Sequence, residues 1–136
     1  SIFNNGEMER DFTYIDDVTE SILKLIIKGT SDFKENNSLA VMPSVSWCPF
    51  KLFNIGNSSP VKLMDFIKTL ENNLGKKAKK EFTSMQPGDV HQTYADTNLI
   101  AKFINYNPNT NLDKGIKEFI KWYLDYYKKD YLDSKF

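Results

Sequence analysis

The chemistry most readily seen in this chain belongs to Arg10, within the run Gly6-Glu7-Met8-Glu9-Arg10-Asp11-Phe12-Thr13-Tyr14-Ile15-Asp16-Asp17. In an extended stretch side chains alternate faces, so Arg10, Phe12 and Tyr14 are expected on one side and Asp11, Thr13 and Ile15 on the other. A planar guanidinium makes paired, charge-assisted hydrogen bonds to phosphate, and flanking rings strengthen them by lowering the local dielectric. The plainer alternative is a solvated strand arginine paired with Asp11 or Glu9, because structural ion pairs are common and usually carry no function.

Other chemistries lack their residues. One cysteine, Cys48, forms no internal disulfide, and with a single histidine, His91, no Cys/His zinc set assembles. Lys plus Arg and Asp plus Glu number 18 each, so no net field draws the chain to nucleic acid or to an anionic membrane, and any anion site must be local. The run Lys76-Lys77-Ala78-Lys79-Lys80 has no interleaved aromatics and reads as a solvated turn without a partner. There is no apolar run of about 18 residues and no signal sequence at the start, so a reducing, cytoplasmic setting is expected. The 136 residues, 40% hydrophobic and 14% aromatic, suit a folded domain or one part of a larger one.

The elements around Arg10 follow from periodicity and punctuation. After the opening strand, Asp16 or Asp17 is expected to cap a helix whose apolar positions are Val18, Ile22, Leu25 and Ile26 and which ends at Gly29. Residues 30–50 carry breakers and read as a long irregular connection, with Trp47 and Phe50 tucked against the body. Lys51 to Gly56 reads as a short strand, and Asn57-Ser58-Ser59-Pro60 as a turn that places Pro60 at the first helical position. The next helix has the stripe Leu63, Phe66, Ile67, Leu70 and Leu74 and stops at Gly75. Glu81 to Met85 and Thr93 to Ala95 are strand-like around the Gln86-Pro87-Gly88-Asp89 turn. Asp96 or Thr97 then caps a short helix with Leu99, Ile100, Phe103 and Ile104 on one side. Thr110-Asn111-Leu112-Asp113 opens a last helix burying Leu112, Ile116, Phe119, Ile120 and Tyr123, and the mixed residues after Tyr126 are not assigned.

Three of these stretches, in this order, carry a resemblance. Arg10 to Asp17, Phe53-Asn54-Ile55-Gly56-Asn57-Ser58-Ser59-Pro60 with the helix that follows, and Met85-Gln86-Pro87-Gly88-Asp89-Val90 with Thr93-Tyr94-Ala95-Asp96-Thr97 resemble the carboxyl-terminal portion of extended short-chain dehydrogenase/reductases acting on nucleotide sugars, most nearly the UDP-glucuronate 4-epimerase group. The resemblance implies an α/β fold, the C-terminal substrate-binding portion of an extended Rossmann-type reductase, with short strands, about four helices and no dinucleotide-binding half. Residues 1–128 would form that portion and residues 129–136 a tail. It also implies a UDP-sugar ligand, NAD held in the full-length parent, oxidation and re-reduction at the sugar C4, and a homodimeric parent.

Residue by residue, the resemblance aims Arg10 at the pyrophosphate and Asp89 at the ribose hydroxyls, for which a carboxylate offers two acceptors. Gln86 stands where relatives with galactose-type substrates carry a second phosphate-binding arginine, and the neutral residue matches the glucuronate-type motif. Thr93 falls near the sugar. His91-Gln92 departs from the Pro-Ala usual there, so His91 is expected at the surface or on the lining, outside catalysis.

Two motifs of the superfamily are missing from the sequence. The six glycines never form Gly-x-x-Gly-x-x-Gly, and the one Tyr-x-x-x-Lys string, Tyr131 to Lys135, lies at the extreme end and reads as chance. The chain is therefore expected to be the downstream portion of an epimerase that by itself binds no NAD, turns over no sugar, and self-associates through unpaired edges of the Phe53 to Ile55 strand. The alternatives are a portion of another nucleotide-sugar epimerase or 4,6-dehydratase, and a non-catalytic nucleotide-sugar binding module.

Overall fold

The computed structural model describes residues 1–29 and 50–133. A 3-10 turn (Phe3–Gly6) leads into β1 (Glu9–Arg10) and α1 (Ile15–Lys28); β2 (Val61–Lys62) runs directly into α2 (Leu63–Leu74), followed by α3 (Asn98–Ile104) and α4 (Leu112–Asp133). The result is a small mixed α/β unit in which α2 packs on α4, α1 packs on α3, and β1 pairs antiparallel with β2 in the register Glu9↔Lys62, Arg10↔Val61. Its apolar core is Ile2, Met8, Ile100, Ile104, Ile116 and Ile120. Trp47 and Cys48 lie outside the described residues, as does the end of the Tyr131 to Lys135 string. Among the described residues no helix is long and apolar enough to cross a membrane, and no group of three or more His, Cys, Asp or Glu residues is placed to hold a metal.

The opening strand is shorter than alternation predicts, and this changes the neighbours of Arg10. Only Glu9–Arg10 is strand. Phe12 stacks face to face on Phe66 of α2, ring centroids 4.4 Å apart, and the Tyr14 ring lies over Gly115 of α4, where an added Cβ would meet it at 3.4 Å. Both rings line an apolar cavity of about 590 Å³ with Leu112, Phe119 and Trp122. Arg10 is not among its lining residues, so the expected pair of rings flanking the guanidinium is absent.

Helix α1 also buries a different face from the one its apolar residues mark. Tyr14 occupies the cap position, and Asp16 and Asp17 sit in the first turn, where they face the positive end of the helix dipole. Ser21 and Asp17 are the buried residues, while Ile22 and Ile26 are exposed. Asp17 accepts from the Tyr106 hydroxyl at 2.9 Å and from the Thr110 N–H at 3.0 Å. Burial pushes its pKa up, but these bonds outweigh burial and hold it below the usual carboxylate value. Burial and the adjacent carboxylate together push the Tyr106 hydroxyl above its ordinary 10.0. Gly29 ends the helix as the sequence suggests, its N–H donating to Leu25 O at 2.9 Å.

Further along, residues 52–55 form no strand, so the expected unpaired edges there have no strand to belong to. Phe50 is exposed rather than tucked in. Pro60 does not open α2, because Val61–Lys62 first extend to pair with β1. Gly75 does close α2, in the left-handed conformation with φ 64° that suits glycine. The most buried position of α2 is Glu71, and Leu74 is exposed. Glu71 gathers the basic run: Oε1 accepts from Lys80 Nζ and from the Ala78 N–H at 2.8 Å, and Oε2 from Lys77 Nζ at 3.4 Å. The Lys80 contact first, then the Ala78 N–H, lowers the Glu71 pKa to about 2. Lys76, Lys77, Ala78 and Lys79 are exposed, as expected of a solvated turn, but Lys80 and the Ala78 N–H tie the run to Glu71, a partner the sequence did not suggest.

Glu81 to Met85 contributes a single parallel bridge, Ile2 to Phe82. At α3, Thr97 holds the cap position while Asp96 Oδ1 accepts from the Asn98 N–H at 3.0 Å. Asn111 caps α4 through its side chain, which accepts from the Lys114 N–H at 2.9 Å. Helix α4 then continues through the unassigned residues to Asp133.

Candidate functional site

Strand β1 is held on both sides. β2 pairs with one edge, and residues 91–93 run parallel along the other: the Glu9 N–H donates to His91 O at 2.9 Å, and the Thr93 N–H donates to Glu9 O at 3.2 Å. This alignment carries the preceding turn to Arg10. The turn is closed by the Asp89 N–H donating to Gln86 O at 3.2 Å, with Gly88 at φ 84°.

Arg10, the only arginine of the chain, and Asp89 meet there. Arg10 Nη2 donates to Asp89 Oδ1 at 2.8 Å and to Met8 Sδ at 3.3 Å, and Nη1 donates to Glu9 O at 2.8 Å and His91 O at 3.3 Å. Asp89 Oδ1 also accepts from the Val90 N–H at 2.9 Å, so both side-chain bonds fall on one oxygen and Oδ2 has no protein partner among the described residues. The two side chains are 24% and 30% exposed, enough for a ligand to reach them and little enough for charge to matter. Arg10 is paired, as the plainer alternative held, but its partner is neither Asp11 nor Glu9.

Of the other two residues singled out, Gln86 is exposed at the start of the turn. The Thr93 hydroxyl accepts from the Asp11 N–H at 3.0 Å, which leaves its own proton for a further acceptor. His91 is exposed, with Nδ1 3.3 Å from Asn4 Nδ2.

Sequence reasoning passed over Asp11, the most connected residue beside the pair. Its Oδ2 accepts from the Ser58 N–H at 3.0 Å and the Ala95 N–H at 3.1 Å, and its Oδ1 accepts from the Ser59 N–H at 3.2 Å. The Ser58 hydroxyl donates to Ala95 O at 2.7 Å and, its one proton so used, accepts from the Thr97 hydroxyl at 2.7 Å. Gly56 makes the junction possible. A Cβ there would stand 2.3 Å from Ala95 Cβ and 3.1 Å from Asp11 Oδ2. The available signal was the Gly-Asn-Ser-Ser turn, rich in free N–H groups that call for an acceptor.

No protein-family model matches the chain. It is 45% identical over 128 residues to protein CapI of Staphylococcus aureus, covering 94% of this chain and 38% of that protein. It is 38% identical over 128 residues to UDP-glucuronate 4-epimerase 4 of Arabidopsis thaliana, covering 93% of this chain and 28% of that protein. Among solved structures, UDP-glucuronic acid 4-epimerase from Bacillus cereus in complex with UDP-glucuronic acid and NAD superposes with a TM-score of 0.63 at 28% identity, over 89% of this chain and 34% of that one. The UDP-glucose 4-epimerase from Stenotrophomonas maltophila reaches a TM-score of 0.74 at 13% identity, a likeness of fold. The chain thus spans about a third of the length of the proteins it matches.

Fold and sequence together place the chain in the class of extended Rossmann-type reductases, as their carboxyl-terminal portion. Within that class its similarity is to the NAD-dependent nucleotide-sugar epimerases, the UDP-glucuronate 4-epimerases in particular.

Proposed function

We propose that this chain supplies the nucleoside-diphosphate wall of a UDP-sugar 4-epimerase of the UDP-glucuronate type, with Arg10 on the diphosphate and Asp89 on the ribose. The observation that carries the reading is the Arg10–Asp89 pair. Asp89 fixes the guanidinium plane with a 2.8 Å bond, while the 3.3 Å contacts to Met8 Sδ and His91 O are weak ones that phosphate oxygens replace with charge-assisted bonds. Asp89 Oδ2 is the acceptor left for a vicinal diol. Thr93 offers its hydroxyl proton toward the sugar, and Gln86 presents an amide where a second cation would otherwise stand.

Part of the reading concerns what this chain leaves to the rest of a longer protein. In a longer protein that holds NAD, the cofactor would supply the hydride acceptor and donor for the sugar C4, and the base that takes and returns the hydroxyl proton would lie with it outside this chain. A dinucleotide is gripped where a glycine-rich turn opens a helix. Here the positive-φ glycines Gly29 and Gly75 close helices, and Gly6 and Gly88 lie in turns. We therefore assign NAD to residues outside this chain, which by itself neither binds NAD nor turns over sugar. The residues here bind and orient, and hold the diphosphate charge away from water.

Titration of the 136-residue protein with UDP and UDP-glucuronate, followed by NMR at Arg10 and Asp89, tests the site. Saturable shifts that disappear in Arg10→Ala are expected. Binding that survives the substitution unchanged removes Arg10 from the account, and a stoichiometric NAD complex or epimerised product overturns the division of labour.

A further inference from the structure

We infer that Asp11 is a positioning residue for the Arg10–Asp89 pair, and that its carboxylate sets the geometry with which that pair meets a nucleoside diphosphate. The inference rests on the reading of Arg10 and Asp89 given above, and adds a residue that reading does not contain.

Asp11 follows Arg10 in the chain, and its side chain takes three N–H groups from two distant stretches, Ser58 and Ser59 on one and Ala95 on the other. Its own N–H donates to Thr93 Oγ1. Four bonds therefore meet at the residue next to the guanidinium bearer, and they fix the backbone on which the Cα–Cβ direction of Arg10 depends. Two of them, to Ala95 and Thr93, anchor the same segment whose earlier residues, His91 and Asp89, receive Arg10. Strand β1 by itself is two residues long and cannot hold that direction. A carboxylate suits the junction because it accepts at both oxygens. Asparagine would turn an N–H donor toward one of the three N–H groups, leaving two donors facing each other.

The Asp11 carboxylate is engaged as an acceptor of backbone N–H groups at both oxygens, turned toward the Ser58–Ser59 and Ala95 backbone. Its effect on ligand capture is therefore indirect, and a test has to read Arg10 rather than stability alone.

The experiment is ¹⁵N NMR of the Arg10 side-chain N–H signals in the 136-residue protein, assigned with Arg10→Lys, in wild type, Asp11→Asn and Thr93→Val, each with and without UDP. In wild type the Arg10 signals are expected to exchange slowly, held by Asp89. In Asp11→Asn they are expected to exchange at the rate of free arginine while the amide spectrum of α2 and α4 stays in place, and the UDP dissociation constant rises about tenfold. Thr93→Val severs the Asp11 N–H bond, and because UDP carries no sugar the contact proposed for that hydroxyl does not enter the measurement; a smaller loss of the same kind is expected. Should Asp11→Asn not fold, Thr93→Val decides alone. Arg10 protection equal to wild type in the folded variants overturns the inference. A wild type with protected Arg10 signals but no response to UDP instead overturns the proposed site, and the exchange comparison still judges Asp11.

Discussion

Arg10 and Asp89 stand 79 positions apart in the sequence, yet a guanidinium nitrogen of one lies 2.8 Å from a carboxylate oxygen of the other. Neither local alternation nor the composition of the turn brings them together. The parallel alignment of residues 91–93 on β1 does, by delivering the end of the turn to the strand. The pair unites a cation suited to phosphate with an acceptor suited to a diol.

Because both side chains remain partly exposed, the pair contributes about 0–1 kcal/mol to stability. Asp89→Asn is expected to leave the thermal midpoint nearly unchanged while weakening UDP binding, and raising salt is expected to weaken wild-type binding as Arg10 is screened. Calorimetric titration and thermal melts, run on the same samples, check both halves. A large loss of stability without a change in UDP affinity would make the pair structural.

Glu71 gives a pH dependence with a definite sign. Its folded pKa, about 2, lies below the ordinary 4.5, so its bonds stabilise the fold fully above the ordinary value and are lost as pH falls toward 2. Glu71→Gln is expected to melt earlier than wild type at pH 7, and the gap is expected to narrow steadily between pH 4.5 and 2. A gap that is constant with pH would show that the carboxylate charge is not what holds the Lys77 to Lys80 run.

Tyr106→Phe removes the phenol donor to the buried Asp17 carboxylate without changing the ring. A destabilisation of about 1–3 kcal/mol is expected, as for a hydrogen bond to a buried charge. Denaturant unfolding at neutral pH measures it. A neutral result would mean that water replaces the phenol.

Gly56→Ala places a Cβ 2.3 Å from that of Ala95, so backbone or side chain must shift. The cost is expected to be about 1–3 kcal/mol or more. The double variant with Ala95→Gly is expected to recover much of it, because the contact removed is the closest one. Equal stability of the single and double variants would place the strain against Asp11 Oδ2 instead, the next contact at 3.1 Å.

Sequence by itself determined the helices and several of their ends. The 3.6-residue period and the stops at Gly29 and Gly75 depend on neighbours a few residues away, and they reappear in α1 and α2. Order and spacing of short motifs also sufficed for the class of fold, and they named Arg10 and Asp89 separately without the contact between them. What lies between distant segments was decided by the tertiary structure alone. Alternation set Phe12 and Tyr14 beside Arg10, but the strand pairing ends at Arg10, and α2 and α4 take the rings. Apolar spacing marked Ile22 and Ile26 as inward-facing, whereas the donors Tyr106 and Thr110, in the loop between α3 and α4, turn Asp17 inward. Asp11 entered the sequence reading only as a possible partner of Arg10, because the three N–H groups it satisfies come from residues 47, 48 and 84 positions away. Local periodicity reports which side of an element is apolar, and only the packed chain settles which polar groups must find each other once water is excluded.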